Sequence, residues 1–348
     1  MPCKGEEFNL ASNIQAVLDQ EYDEYQVLIV VDDREDPSFA IAKSVLEKHP
    51  KSKSTRILIS KPTSASGKVS ALMTALEATS GQTDVYAFVD SDSYTSRNWL
   101  RDLVDGLADD EIGATTGFRW YIPSRGGVWS HVEAAWNASG TNLLFDERYN
   151  FTWGGSMALR AETLKKVDIS HVWSTALSDD MTLNRALKEH GYRIVFLPQC
   201  TVASYNKASL SQFLEWATRQ TAITRVFNHR LWRYAVLAYG FFDVTLLLGI
   251  LSAGIGVAWN RAFLLPAILL LMPLLLGALR SIQRCRTFAR AMPQLSKEIG
   301  STCLPDAAAS FIVQWIMTYC IIRSVQMHEI EWRGRTYTLP GVEQLTTP

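Results

Sequence analysis

The 348-residue chain has no excess of either charge. Its 34 Lys and Arg residues offset 35 Asp and Glu residues to a net −1, so there is no electrostatic case for nucleic acid as a partner. Cysteine is scarce, with five residues at Cys3, Cys200, Cys285, Cys303 and Cys320. None forms a C-x-x-C pair, and an odd count argues against a disulfide framework, so all five are expected as free thiols of a reducing compartment. No H-E-x-x-H motif or Cys/His cluster suggests structural zinc. The N-terminus lacks an apolar run, so neither a signal peptide nor a signal anchor is expected there. There is no internal repeat and no low-complexity tract.

What is present is unevenly distributed. Mean hydropathy is near zero, high for a soluble enzyme, and the apolar excess lies beyond Arg233. Ala235–Ala258 is apolar except for Asp243, and Ala262–Leu279 carries no charge. Each approaches the roughly 20 residues that span a bilayer. Trp259-Asn260-Arg261 between them leaves room only for a hairpin. Arg225, Arg230 and Arg233 precede the pair, and Arg280, Arg284, Arg286 and Arg290 follow it. By the positive-inside rule both ends face the cytoplasm. A third uncharged run, Ala307–Ile322, is shorter and is compatible with spanning, dipping in or lying at the interface. The expected organisation is a catalytic domain over residues 1–230 and a multi-pass membrane region over 231–348.

Before Arg233, short apolar runs alternate with amphipathic stretches. Tyr25–Val31, Arg56–Ser60, Val85–Val89 and Ile112–Thr116 read as buried strands. Leu10–Leu18, Pro37–Lys48 and Val69–Thr79 read as helices. This alternation predicts an α/β fold with a mostly parallel sheet, whose ligands bind at the C-terminal ends of its strands.

Polar motifs stand at those ends. Asp90-Ser91-Asp92 follows Val85–Val89. Two carboxylates at i and i+2 past a strand can share a divalent cation, Mg²⁺ or Mn²⁺, that also bridges phosphates; an acidic turn is the plainer reading. Asp32-Asp33 ends another strand and can serve a helix N-cap, a nucleobase N–H, or both. Ser66-Gly67-Lys68 opens a helix but is no P-loop, since Pro62 stands where the upstream glycine is required. Gly154-Gly155 allows close backbone approach to a ligand, or simply a turn. Ser178-Asp179-Asp180 precedes a helix: Ser178 or Asp179 can cap it, and Asp180 can accept a proton from an alcohol if it faces the cleft. Gln212–Arg225 is an amphipathic helix whose Arg219 and Arg225 can neutralise a departing diphosphate or face a membrane.

Taken in order, Pro2-Cys3-Lys4-Gly5-Glu6-Glu7, Val30-Val31-Asp32-Asp33, Gly67-Lys68-Val69-Ser70, Phe88-Val89-Asp90-Ser91-Asp92, Gly154-Gly155-Ser156-Met157, Ser178-Asp179-Asp180 and the Arg219 helix resemble family 2-type glycosyltransferases. The ceramide-glucosyltransferase-like branch, family 21, is the nearest in pattern, and the tail Glu331-Trp332-Arg333-Gly334-Arg335 with Tyr337 resembles it too. The resemblance implies a GT-A nucleotide-sugar-binding domain, a UDP-sugar donor, a divalent metal and inversion at the anomeric carbon. It implies uracil binding at Asp33, donor contact at Lys68, metal and diphosphate at Asp90 and Asp92, and a general base at Asp180. The family's (Q/R)-x-x-R-W pattern is altered here. Trp216-Ala217-Thr218-Arg219-Gln220 keeps the arginine that would stabilise the leaving group, whereas Gln212-Phe213-Leu214-Glu215-Trp216 keeps only the ends. A lipid acceptor is expected from the membrane runs. A processive polysaccharide synthase and a decayed nucleotide-sugar-binding membrane protein are the alternatives. Similar proteins carry a strand leading into the Pro2–Glu7 motif, and Met1 stands where it should end. The first strand of the sheet is therefore expected to be missing, with exposed strand edges and low stability and an apolar strand encoded upstream.

Overall fold

The computed structural model describes residues 1–50, 54–79, 81, 83–123 and 127–339. Its elements run β1 (Pro2–Cys3), α1 (Leu10–Leu18), β2 (Val27–Val31), α2 (Pro37–Lys48), β3 (Thr55–Ile59), α3 (Gly67–Thr79), β4 (Val85–Val89), α4 (Trp99–Asp105), β5 (Ile112–Thr116), β6 (Arg119–Pro123), α5 (Val128–Ser139) and α6 (Thr141–Leu144). There follow β7 (Ser156–Arg160), α7 (Ala161–Lys166), α8 (Ile169–Trp173), α9 (Asp179–Glu189), β8 (Arg193–Phe196), β9 (Val202–Asn206), α10 (Leu210–Phe227), α11 (His229–Ala258), α12 (Leu264–Ala291), α13 (Ser296–Val325), β10 (Glu329–Trp332) and β11 (Arg335–Thr338). By compactness the chain forms two units. The first holds residues 1–122, 140–206 and 290–295; the second holds 123–139, 207–289 and 296–348.

In the first unit the expected strands and helices form where the apolar spacing put them. β1, β2 and β3 make a parallel sheet. A second sheet has the order β4-β7-β5-β8; β5 and β8 are parallel, and β7 runs antiparallel to both its neighbours. Helix starts follow local chemistry. Asp36 accepts from the Ser38 N–H ahead of α2 with Pro37 in its first turn, the geometry in which proline's missing N–H costs nothing. One core gathers Ile14, Leu18, Ile29, Val31 and Leu103. Another gathers Val69, Leu72, Met157, Leu183 and Leu187 around Trp173. Burial of these side chains is what holds the strand ends in place, at about 1.5–3 kcal/mol each.

The expected absence of a first strand is corrected in part. Pro2 and Cys3 pair in parallel with Val30 and Val31. The Met1 ammonium donates to the Leu28 carbonyl at 2.9 Å, and the Val30 N–H donates to the Met1 carbonyl at 2.9 Å. Two residues thus cover the β2 edge beside the strand end that carries Asp32 and Asp33.

In the second unit α5, α10 and α13 share a core of Val132, Ala135, Phe213, Ala217, Val313 and Ile316. Among the described residues three helical segments, His229–Ala258, Arg261–Ala291 and Pro293–Val325, are long and apolar enough to cross a membrane. Leu237, Leu247, Leu251, Leu265, Ile268 and Leu275 on α11 and α12 are exposed. Apolar exposure on that scale marks a surface that meets lipid rather than water. The third segment is longer than its 16-residue uncharged core because helix continues through Asp306 and the polar first turns of α13.

The thiol expectation is corrected. Cys285 of α12 and Cys303 of α13 form a disulfide with Cα atoms 5.6 Å apart, while Cys3, Cys200 and Cys320 are buried outside any disulfide. An 18-residue spacing has no sequence signature. Only the fold of two consecutive helices brings these positions together.

Candidate active site at the strand ends

The Asp90-Ser91-Asp92 turn is built as a rigid part of the first unit. The amide of the buried Asn13, on α1, donates to the Ser91 carbonyl at 2.9 Å, and the Ser204 hydroxyl, on β9, donates to the Asp92 carbonyl at 2.9 Å. With its backbone pinned on both sides, the turn projects two carboxylates in fixed directions.

Two cations meet them. Lys68, in the first turn of α3, places Nζ 2.8 Å from Asp90 Oδ1 and 3.0 Å from Asp179 Oδ2. Arg119, at the start of β6, places Nη2 3.1 Å from Asp90 Oδ2 and 2.9 Å from Asp92 Oδ1. Its Nη1 donates to the Tyr121 hydroxyl at 2.9 Å, and its guanidinium lies 5.0 Å from the Trp153 ring centroid. All five side chains are mostly buried, Asp179 the most at 5 % exposed.

Burial by itself lowers the Lys68 pKa. The carboxylates of Asp179, Asp90 and Asp180 outweigh that effect and hold its pKa above the ordinary lysine value. Arg119 follows the same logic: burial opposes its charge, and Asp92, Tyr121 and Asp90 outweigh it, so its pKa is raised. Burial pushes the Asp179 carboxyl up to about 6, against the pull of Lys68 and with help from Asp180 and Asp90.

Asp180 is held differently. Ser178 caps α9 by accepting from the Met181 N–H. Asp180 Oδ1 accepts from the Ser178 hydroxyl at 2.6 Å and the Met181 N–H at 2.7 Å, while Oδ2 faces the Gly154 N–H at 3.3 Å. Asp180 is only half-buried, and Oδ2 keeps lone-pair capacity beyond the Gly154 contact. The glycine pair forms a turn packed tightly against the protein's own side chains. A Cβ on Gly154 would stand 2.0 Å from Asp179 Oδ2 and 2.9 Å from Lys68 Nζ, and one on Gly155 would strike the Trp153 ring at 2.1 Å. Gly154→Ala is therefore expected to force the Lys68–Asp179 pair apart, lowering stability by about 1–3 kcal/mol and weakening nucleotide binding. Thermal melting and a UDP titration check this, and a wild-type Kd would count against it.

The structure thus brings Lys68, Asp90, Asp92, Gly154 and Asp180 into one cluster. Asp33 sits at the end of β2, where its Oδ1 accepts from the Glu35 and Asp36 N–H groups at 2.8 and 2.7 Å. Its carboxylate shapes the turn ahead of α2, the local role open to it in sequence, and it remains exposed. Arg219 belongs to the second unit, on α10, with Nη1 3.4 Å from the Glu331 carbonyl of the β10–β11 hairpin. That hairpin turns at Arg333 and Gly334, both at positive φ, the twist a two-residue hairpin needs. Sequence reasoning missed two members of the cluster. Asp179 passed as a mere capping candidate beside Asp180. Arg119 carries no motif; the only signal is a charge opening an otherwise apolar strand run, Arg119-Trp120-Tyr121-Ile122.

Among the described residues no group of three or more His, Cys, Asp or Glu side chains could hold a metal. Asp90 and Asp92 supply a partial donor set of hard oxygens. Such a set suits Mg²⁺ or Mn²⁺ that completes its shell with water and substrate phosphates, rather than an all-protein cage. Charge agrees: Asp90, Asp92, Asp179 and Asp180 face Lys68 and Arg119, so with all six ionised these side chains keep two net negative charges.

The α/β domain with acidic turns at its strand ends is joined to helices long and apolar enough to cross a membrane, and comparison with known families says which class of protein this is. Residues 1–343 match the model of Glycosyl transferase family 21. The chain belongs to that family and is a glycosyltransferase. Among solved structures it is similar to a chain described as "Crystal Structure of a Mycobacterial Protein", at 14 % identity and a TM-score of 0.40 over 65 % of this chain and 72 % of that one. A likeness at that level carries no argument.

Proposed function

We propose that the chain is an inverting glycosyltransferase of the ceramide glucosyltransferase type. It moves a hexose or N-acetylhexosamine from a UDP-sugar to the hydroxyl of a lipid acceptor, as a multi-pass membrane protein whose catalytic domain faces the cytoplasm. The observation that carries this reading is the cluster of Lys68, Arg119, Asp90, Asp92 and Asp179 beside a half-buried Asp180. A diphosphate is already a good leaving group once its charge is offset, so the protein needs one acid/base group, whereas a glycosidase needs two carboxyls. When bound at Asp90 and Asp92, a divalent cation supplies that offset as a Lewis acid. Lys68 holds Asp90 and Asp179 in position and presents positive charge to the donor. Asp180 accepts the acceptor's proton through Oδ2. Asp33 serves the uracil and Arg219 the leaving diphosphate; family membership supports both assignments. Residues 1–230 form the catalytic part and 231–348 the membrane region.

The test is UDP release from native membranes across a panel of UDP-sugars, with and without lipid extract. Release that requires one donor and the lipid extract is expected. Release without added lipid, with polymer formed, points to a processive synthase. No release with any pair, while UDP still binds, points to a decayed site.

A further inference from the structure

The two cations of the cluster differ in kind. Lys68 bridges Asp90 to Asp179 across two elements and ties the site together. Arg119 instead sits between the two carboxylates of one turn, with a single nitrogen 3.1 Å from Asp90 Oδ2 and 2.9 Å from Asp92 Oδ1. A divalent cation held by this turn would have to draw on the same two carboxylates. The guanidinium is not there by drift: its side chain is 13 % exposed, it donates to the Tyr121 hydroxyl, and it lies over the rings of Trp153 and Tyr121.

We propose that Arg119 is a resident competitor for the cation position of the Asp90/Asp92 turn, and that it makes metal binding depend on the diphosphate. This rests on the reading of that turn as the metal and diphosphate site. Without nucleotide, Arg119 hydrogen-bonds both carboxylates, so a divalent ion has to displace two charge-assisted hydrogen bonds made in a largely dry setting. A diphosphate offers the guanidinium anionic oxygens that suit its planar fork. Arg119 can then release the carboxylates without losing its own counter-charge. Metal and donor diphosphate accordingly bind with positive coupling, reciprocal between the two sites. Neither is held well alone, which keeps bare metal out of the cleft and presents the donor only in its neutralised form.

The test uses the full chain in detergent and measures free Mn²⁺ by electron paramagnetic resonance, with and without UDP. The unsubstituted protein should bind Mn²⁺ weakly alone and more tightly with UDP. Arg119→Gln should bind Mn²⁺ alone about tenfold to a hundredfold more tightly, the range expected on losing a hydrogen bond to a charged group. It should also lose most of the UDP-dependent gain. Tyr121→Phe removes one restraint on the guanidinium while keeping its charge, and should shift Mn²⁺ affinity the same way by a smaller factor. It carries the test if Arg119→Gln fails to fold. Unchanged or weaker Mn²⁺ binding without UDP in both variants overturns the proposal. If Asp90→Asn nevertheless abolishes UDP-dependent Mn²⁺ binding, the reading of the turn survives and only the role of Arg119 falls. If the unsubstituted protein binds no Mn²⁺ even with UDP, both fall.

Discussion

Asp180→Asn is expected to lower sugar transfer by about 10²- to 10⁴-fold, the usual contribution of a positioned general base, while UDP binding stays close to that of the unsubstituted protein. The separation follows from geometry. Asp180 Oδ1 is spent on the Ser178 hydroxyl and the Met181 N–H. Asparagine's amide oxygen can keep both bonds, so the start of α9 should survive. What is lost is the basic Oδ2, together with a long 3.3 Å contact to the Gly154 N–H. Asp179→Asn next door should behave in the opposite way. Asp179 is nearly fully buried and 3.0 Å from Lys68 Nζ, so neutralising it should alter donor affinity more than the proton transfer itself. Steady-state transfer assays paired with calorimetric UDP binding distinguish the two. Full transfer activity in Asp180→Asn would refute the general-base assignment outright. Equal loss of UDP binding and of transfer would recast Asp180 as a donor-binding group.

How much of this was legible beforehand depended on the kind of signal. Val27–Val31, Thr55–Ile59, Val85–Val89 and Ile112–Thr116 form as strands because each is a short apolar run closed by polar turn residues, a local property. The long apolar runs after Arg233 were legible for the same reason. The antiparallel placement of β7 between β4 and β5 was not, since pairing partners lie up to some 75 residues away along the chain and no local pattern encodes direction. The site divides along the same line. Asp90, Asp92, Lys68 and Asp180 each stand at a strand end or helix start, where a motif can be read. Arg119 reaches Asp90 and Asp92 from 29 and 27 residues away, and a lone arginine opening an apolar strand has no spacing to betray it. The Cys285–Cys303 bond failed for the converse reason: counting cysteines constrains a secreted scaffold, but an odd total says nothing about one pair brought together by two helices.

Lys68→Met should be the most destabilising single change in the cluster. Lysine-sized volume is kept, so the loss is electrostatic. Asp179 is 5 % exposed and Asp90 19 %, so neither carboxylate is well placed to trade Lys68 for water. Removing one partner of a buried pair leaves the other charge uncompensated and costs about 3–5 kcal/mol. In a domain of this size about 1 kcal/mol moves Tm by 2–4 °C, so a fall of roughly 6–20 °C is expected in a thermal melt of the detergent-purified chain. Burial already pushes the Asp179 carboxyl up to about 6 with Lys68 present. Without the ammonium its protonation is favoured further, and the variant should lose stability as pH rises from about 4, the unfolded carboxyl value, to beyond 6, flattening only once the folded Asp179 has ionised. The sign follows from linkage: a carboxyl whose folded pKa lies above its unfolded value binds more protons when folded, so raising pH favours unfolding. The double variant Lys68→Met with Asp179→Asn removes the stranded charge and should recover a large part of the loss, which makes the cycle of single and double variants a measure of the pair itself. Nucleotide binding should not recover with it, because Lys68 is also the cation that faces the donor. If Lys68→Met melts at the unsubstituted temperature, the Lys68–Asp179 pair is not what holds α3 and α9 in register. If the double variant recovers UDP affinity along with stability, Lys68 is a structural tie and has no direct part in donor binding.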